Sequence, residues 1–449
     1  MIKKKNLIFP LILFLLSNCS FDNKTGIWEE VISEKKRIAK IKQEQTKDEN
    51  TIRIFSSQNI YEKEKKIEKT ISISKAKKNF QWIMPGNNYQ NYLGNIYLPG
   101  ITNMFLKKKI GKNKLSLSKT STKPLAIKNY LYLADDKGTI YKITVYGEIV
   151  WKKNVYSKVY KNIYKNISFS LYKGNLYVSD NIGFIYSISS DDGQLIWIKN
   201  HGVPLKSKIK VYEDKIFLVN QDNRIICFSS VDGAVIWSIR SIASFIKLQD
   251  LLSIALSDNG NIIVSTTSGD LLKINHTNGS VFWSLNTLES MQTDATDFFK
   301  SSDIVLSRKS IIFSNKNKIF SFNTDNGYMN WKNNVSSVAT PIIDGENIFI
   351  VTENGFFVIV DFLSGEIISS TNILQILKQK KQRTQVKGFI MGSGKIYSVT
   401  LNGFLITSSA STGEVESFVK IGRPITSAPI ISDGKLFIYT EDSRILGYQ

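Results

Sequence analysis

Short runs of alternating apolar and polar residues, separated by polar turns, fill most of this chain. They read NLYVSDNIGFIYSI from Asn175, KIFLVNQDNRIICF from Lys215, NIIVSTTSGDLLKI from Asn261, NIFIVTENGFFVIV from Asn347 and KLFIYTEDSRILGY from Lys435. A period of two bounded by Asn, Asp and Gly predicts antiparallel hairpins, since those residues tolerate the positive φ that tight turns require. A second signal follows each hairpin: a turn residue, a Gly, and a further strand that usually ends in Trp. It reads YGEIVW at Trp151, DGQLIW at Trp197, DGAVIW at Trp237, NGSVFW at Trp283 and NGYMNW at Trp331, then SGEIIS at Ser369 and TGEVES at Ser417. The marker glycines Gly147, Gly193, Gly233, Gly279, Gly327, Gly365 and Gly413 are spaced by 46, 40, 46, 48, 38 and 48 residues. That is the period of a propeller blade.

A single blade cannot bury both faces of its sheet, so the units stack around an axis and cover one another. The hairpins give eight units, centred near Tyr132, Tyr177, Phe217, Ile263, Phe313, Phe349, Tyr397 and Phe437. The expected fold is all-β: an eight-bladed β-propeller of four-stranded antiparallel blades. The eighth unit reaches Gln449 without a Gly-Trp strand, and the apolar segment from Asn79 to Leu98, which holds Trp82, is expected to supply it. Tryptophan at one fixed position per unit predicts a packing role, a wedge between blades.

The first residues read as an export signal. Lys3, Lys4 and Lys5 precede an apolar stretch from Leu7 to Leu16, too short to span a bilayer, and Leu16-Ser17-Asn18-Cys19 closes it. This end resembles a bacterial lipobox, which implies cleavage before Cys19, lipidation of Cys19 and outer-membrane sorting. The expected organisation is a signal peptide over 1–18, a lipidated Cys and charged flexible tether over 19–78, and the propeller over 79–449. A flexible tether of that length reaches roughly 40–45 Å.

The net charge of +21 suggests nucleic acid at first sight, but export argues against it, and the basic residues are spread along the chain. Attraction to anionic headgroups or acidic partners is the functional competitor of plain coding bias. The one marked basic run is Lys378-Gln379-Lys380-Lys381-Gln382-Arg383. With Cys19 consumed by lipid, Cys227 is the remaining thiol and reads as a buried small hydrophobe. The two histidines, His201 and His276, form no pair at metal-ligand spacing. No G-x-S-x-G or P-loop occurs, and no cofactor, metal or catalytic residue is expected.

The repeat grammar, seen here as NLYV, GFIY and DGQLIW, resembles the PQQ-like β-propeller repeats over about residues 79–449. Joined to a lipobox, it is most similar to the BamB-like lipoprotein scaffolds of outer-membrane β-barrel assembly. The resemblance implies docking onto the periplasmic POTRA domains of a BamA-type barrel, without cofactor or reaction. It implies two docking elements. An apolar-basic stretch before the fourth unit corresponds to Phe245, Ile246, Lys247 and Leu248, with Lys where the family has Arg. An acidic loop before the fifth corresponds to Asp303, with Val305 replacing a second acid. Nascent outer-membrane proteins are possible further partners, through exposed blade edges. Two other readings stand beside this one: a periplasmic propeller serving another envelope complex, and a PQQ-dependent dehydrogenase, whose adjacent cysteines and haem motif this chain lacks.

Overall fold

The computed structural model describes residues 61–67, 70–113, 122–241, 251–287, 301–315, 318–335, 337, 339–377 and 384–449, together with the backbone of Cys19–Phe21 and Trp28–Glu30. Those two short strands pair antiparallel within a first unit ending at Gln58, and everything that follows forms a second unit.

The second unit is the expected propeller. Eight antiparallel sheets follow one another as blade 1 (residues 125–153), blade 2 (167–200), blade 3 (210–240), blade 4 (254–286), blade 5 (305–333), blade 6 (342–372), blade 7 (386–420) and blade 8 (430–448). Each runs from an inner strand near the axis to an outer strand at the rim. Blade 8 contributes three strands, and its outer strand comes from upstream: Met104–Lys109 pairs with Arg444–Tyr448. The ring is therefore closed by MFLKKK, not by the Asn79–Leu98 segment.

The glycine-tryptophan marker builds the seams. Each Gly opens an outer strand with positive φ, 77° at Gly193 and 73° at Gly233; at Gly193, Gly233, Gly279, Gly327 and Gly365 the preceding blade's Trp ring fills the space above it, whereas Gly147 faces Leu106 and Gly413 faces Thr371. The indole of that Trp donates across the seam to a backbone carbonyl of the following blade: Trp151 to Ser190 at 3.2 Å, Trp197 to Ser230 at 3.0 Å, Trp237 to His276 at 3.1 Å, Trp283 to Thr324 at 3.2 Å and Trp331 to Phe362 at 3.1 Å. The ladder into the outer strand also slips by one residue in every blade; in blade 2 Ser187 faces Trp197 and Ile188 faces Leu195, so Ile196 is the extra residue. Such a bulge breaks the alternation. It explains why Leu195 and Ile196 are both exposed, as are Val235 and Ile236 in blade 3.

Residues 79–98 do something that periodicity does not announce. They wind around one end of the axis and touch the inner strand of every blade in turn. The Asn79 carbonyl accepts from Asp433 N of blade 8, Gln81–Trp82 pairs with blade 1, and the Ile83 carbonyl accepts from Leu171 N of blade 2. The carbonyls of Tyr89, Gln90 and Leu93 accept from Leu256, Leu306 and Ile343 N of blades 4, 5 and 6, and that of Ile96 from Ser393 N of blade 7. Blade 3 answers with a side chain, Lys210. The segment is a plug. At its centre Asn91 is 2 % exposed and donates to the carbonyls of Ile254 and Ile304, and a Cβ on Gly86 (φ 74°) would fall 1.9 Å from the Asn91 amide oxygen.

The attachment begins further upstream than the expected tether boundary at residue 78. Lys65 and Ser370 exchange backbone hydrogen bonds at 2.9 Å each, so residues 61–67 lie along the outer strand of blade 6, Ile367–Asn372. This is the first blade in which the marker Trp is lost, and Ser369 and Ser370 are buried there. Ser74 then binds the Asp344 carboxylate and Lys77 bridges to Ile96, leading into the plug.

Candidate functional site

The inner strands start at the end of the axis opposite the plug, and there the ring gathers charge. Lys123, Lys208, Asp303 and Thr340 each stand two residues ahead of an inner strand, those of blades 1, 3, 5 and 6. The Lys208 ammonium bonds Asp303 Oδ1 in an ion pair spanning blades 3 and 5, and Thr340 Oγ1 donates to Asp303 Oδ2 at 2.7 Å. Two residues along the same strand face, Lys210 is fully buried and donates to the Pro85 carbonyl (2.6 Å), the Asn88 carbonyl (2.5 Å) and Asn91 Oδ1 (2.8 Å). It therefore fastens the plug from inside.

The electrostatics follow from burial. Desolvation brings the Lys210 ammonium down to about 7, against the pull of Asp303, and the Lys123 ammonium down to about 8, with Lys208 pushing the same way. Burial alone would raise the Asp303 carboxyl; Lys208 and Lys123 outweigh it and hold it below the usual carboxylate range.

The resemblance implies a docking role for Asp303 in an acidic loop. Asp303 is 4 % exposed, with both carboxylate oxygens engaged inside the ring, so it holds Lys208 in place rather than presenting a free charge. Phe245, Ile246, Lys247 and Leu248 lie outside the described residues, in the connection from the outer strand of blade 3 to the inner strand of blade 4. Cys19 falls within the first unit, where only its backbone is described. The basic run at 378–383 is also outside the described residues.

Cys227 sits in the third strand of blade 3, fully buried opposite Trp237, and burial pushes its thiol up to about 12. His201 packs edge-on against Phe228 and His276 against Tyr212, with His276 Nε2 3.2 Å from Glu213 Oε2. Among the described residues no group of three or more His, Cys, Asp or Glu is placed to hold a metal ion. Sequence reasoning missed Lys123, Lys208 and Lys210. The trace that Lys208 and Lys210 left is KSKIKVY, a strand with lysine at every second place, which reads as a solvated face; Lys123 stands alone in STKPL.

Comparison with known proteins adds to this geometry. A sequence model described as outer membrane protein assembly factor BamB matches residues 136–371, which span blades 1 to 6. A curated BamB from Yersinia pestis is 20% identical over 312 residues, covering 61% of this chain and 74% of that protein. Among solved structures, BamB from Moraxella catarrhalis superimposes with a TM-score of 0.61 at 10% identity, over 76% of this chain and 99% of the other. A quinohemoprotein alcohol dehydrogenase from Comamonas testosteroni gives the same TM-score at 11% identity, over 82% of this chain and 80% of that one, and so shares the fold.

Proposed function

Because this chain belongs to the family of outer membrane protein assembly factor BamB, we propose that it is a non-enzymatic lipoprotein scaffold of outer-membrane β-barrel assembly. In this reading Cys19 carries the lipid that holds it at the periplasmic face of the outer membrane. The ring binds the POTRA domains of a BamA-type barrel. The family match across six blades is the observation that carries the proposal. The structure supports a binding role physically: seams locked by indole hydrogen bonds and a plug bonded to all eight blades make a stiff platform.

The docking element is Phe245, Ile246, Lys247 and Leu248, between blades 3 and 4 in the sequence. Asp303 acts by holding Lys208. Nascent outer-membrane proteins are received at the blade rims, where the outer strands of blades 1 to 5 stand at sheet edges with exposed apolar pairs such as Ile149 and Val150 or Val281 and Phe282. The fold shared with dehydrogenases gives a second reading no support of its own, since it fixes architecture and not chemistry.

Affinity purification of the tagged full-length chain from its own cells in mild detergent tests the proposal. A BamA-type barrel should be recovered with it, and Cys19→Ala should release the chain from the membrane fraction. Recovery of a different envelope complex with no such barrel would reject it.

A further inference from the structure

Among the described residues, the charges at the unplugged end of the axis do not balance. Three lysines, Lys123, Lys208 and Lys210, surround one carboxylate, Asp303. That carboxylate is fully used, by Lys208 on one oxygen and Thr340 on the other. Lys210 is held by three neutral oxygens of the plug, which satisfy its donors and leave its charge uncompensated. Lys123 has no hydrogen-bond acceptor among the described residues, although it lies close enough to feel both Lys208 and Asp303. Lys208 keeps 24% of its side chain exposed, so solvent reaches this level of the axis.

A partly desolvated lysine with no acceptor, beside a second lysine fixed by an ion pair, is an arrangement that an oxyanion completes. Nothing in blade packing asks for it. The seams are made by the tryptophans at the rim, and Asn91 and Lys210 hold the plug without using Lys123 or Lys208. Lysine ammonium groups act as compact point charges without the planar fork of Arg, so they suit a small rounded anion better than a flat bidentate one.

We propose that the axis of this ring is a binding site for a small oxyanion, a phosphate or a carboxylate, held between Lys123 and Lys208, with Asp303 and Thr340 fixing Lys208 in position. The site lies inside the propeller and does not depend on the scaffold reading. The anion comes either as a free ion or as an acidic side chain inserted from another chain.

The test is calorimetric titration of the full-length chain with inorganic phosphate and, separately, with a hexaglutamate peptide, both in chloride buffer of matched ionic strength. Lys123→Gln removes the unpartnered cation, Lys123→Arg keeps it, and Lys435→Gln, at a partly exposed lysine of blade 8 that pairs with Asp433, is the control. Circular dichroism melting of each variant reports folding separately from binding. The expected result is saturable one-to-one phosphate binding, weakened at least about tenfold by Lys123→Gln, largely kept by Lys123→Arg and unchanged by Lys435→Gln. Binding of the peptide alone, with the same dependence on Lys123, would place the source of the anion in a partner chain. No saturable binding of either probe by roughly 10 mM, or binding indifferent to Lys123→Gln in a folded variant, would overturn the proposal.

Discussion

Trp151 of blade 1 lies directly against Gly193 of blade 2: a Cβ added to that glycine would sit 2.8 Å from the indole ring, and the same indole donates to the Ser190 carbonyl at 3.2 Å. The pair is one half of the repeat marker meeting the other across a seam. The same relationship links Trp197 to Gly233, Trp237 to Gly279, Trp283 to Gly327 and Trp331 to Gly365. The glycine is thus required twice, for its φ of 77° and for the space above it.

Gly193→Ala should therefore destabilise the ring by about 2–3 kcal/mol, part from forcing Ala into the left-handed region and part from displacing the indole. Gly174→Ala is the comparison, since it has a φ of 78° and nothing within 4 Å of a Cβ, so it isolates the backbone share. Urea unfolding of both variants measures the difference. Equal losses would mean that the indole contact contributes nothing.

Lys210→Met should loosen the plug. Methionine matches much of the lysine stem but leaves the Pro85, Asn88 and Asn91 oxygens without their shared donor, at a cost of roughly 2–4 kcal/mol. Hydrogen exchange should show the amides that bond to the plug, Leu171, Leu256 and Leu306, exchanging faster while the rim strands keep their protection. Unchanged exchange at those three amides would show that the backbone bonds hold the plug without Lys210.

Lys65→Pro removes one donor of the two-bond bridge to Ser370. The expected outcome is release of residues 61–67 from blade 6, seen as faster exchange at the Ser370 amide and new tryptic cleavage at Lys66. The melting temperature of the ring should change little, because the plug and seams remain. Full protection of Ser370 in the variant would contradict the docking of this segment.

Cys227 should be chemically silent. Its thiol is buried and its ionisation pushed up to about 12 by that burial, so the reactive thiolate is scarce at neutral pH. In a Cys19→Ala background, a thiol reagent at pH 7.5 should find no reactive group in the native chain and one after denaturation in urea. Prompt native labelling would place Cys227 at an accessible surface.

The blades and their seams could be read from the chain because each depends on a local pattern: alternation gives the hairpins, and Gly followed by Trp gives the seam. The closing strand could not. Of Met104–Lys109, only Leu106 is buried, so MFLKKK reads as basic surface, whereas the more apolar Asn79–Leu98 looked the better candidate. The plug was hidden because its bonds are made by backbone carbonyls at irregular spacing, through PGNNYQNYLGN, where composition says only turn. At the axis, only the family resemblance singles out Asp303, and its burial depends on Lys208 and Thr340, which are close to it only once the ring closes. The axial lysines carried the period of a strand and the composition of a surface, and only the eightfold arrangement turns them inward.

The proposed docking of this ring onto POTRA domains can be measured in solution. The most direct measurement is calorimetric titration of residues 20–449 with the purified POTRA array of the BamA-type barrel from the same cell, at low and high salt. The account predicts saturable one-to-one binding that a Phe245→Ala, Leu248→Ala double variant weakens at least about tenfold and that salt weakens only modestly, as an apolar anchor with a single Lys247 contact requires. An absence of binding at tens of micromolar by an intact, folded chain, or binding indifferent to that double variant, would contradict it.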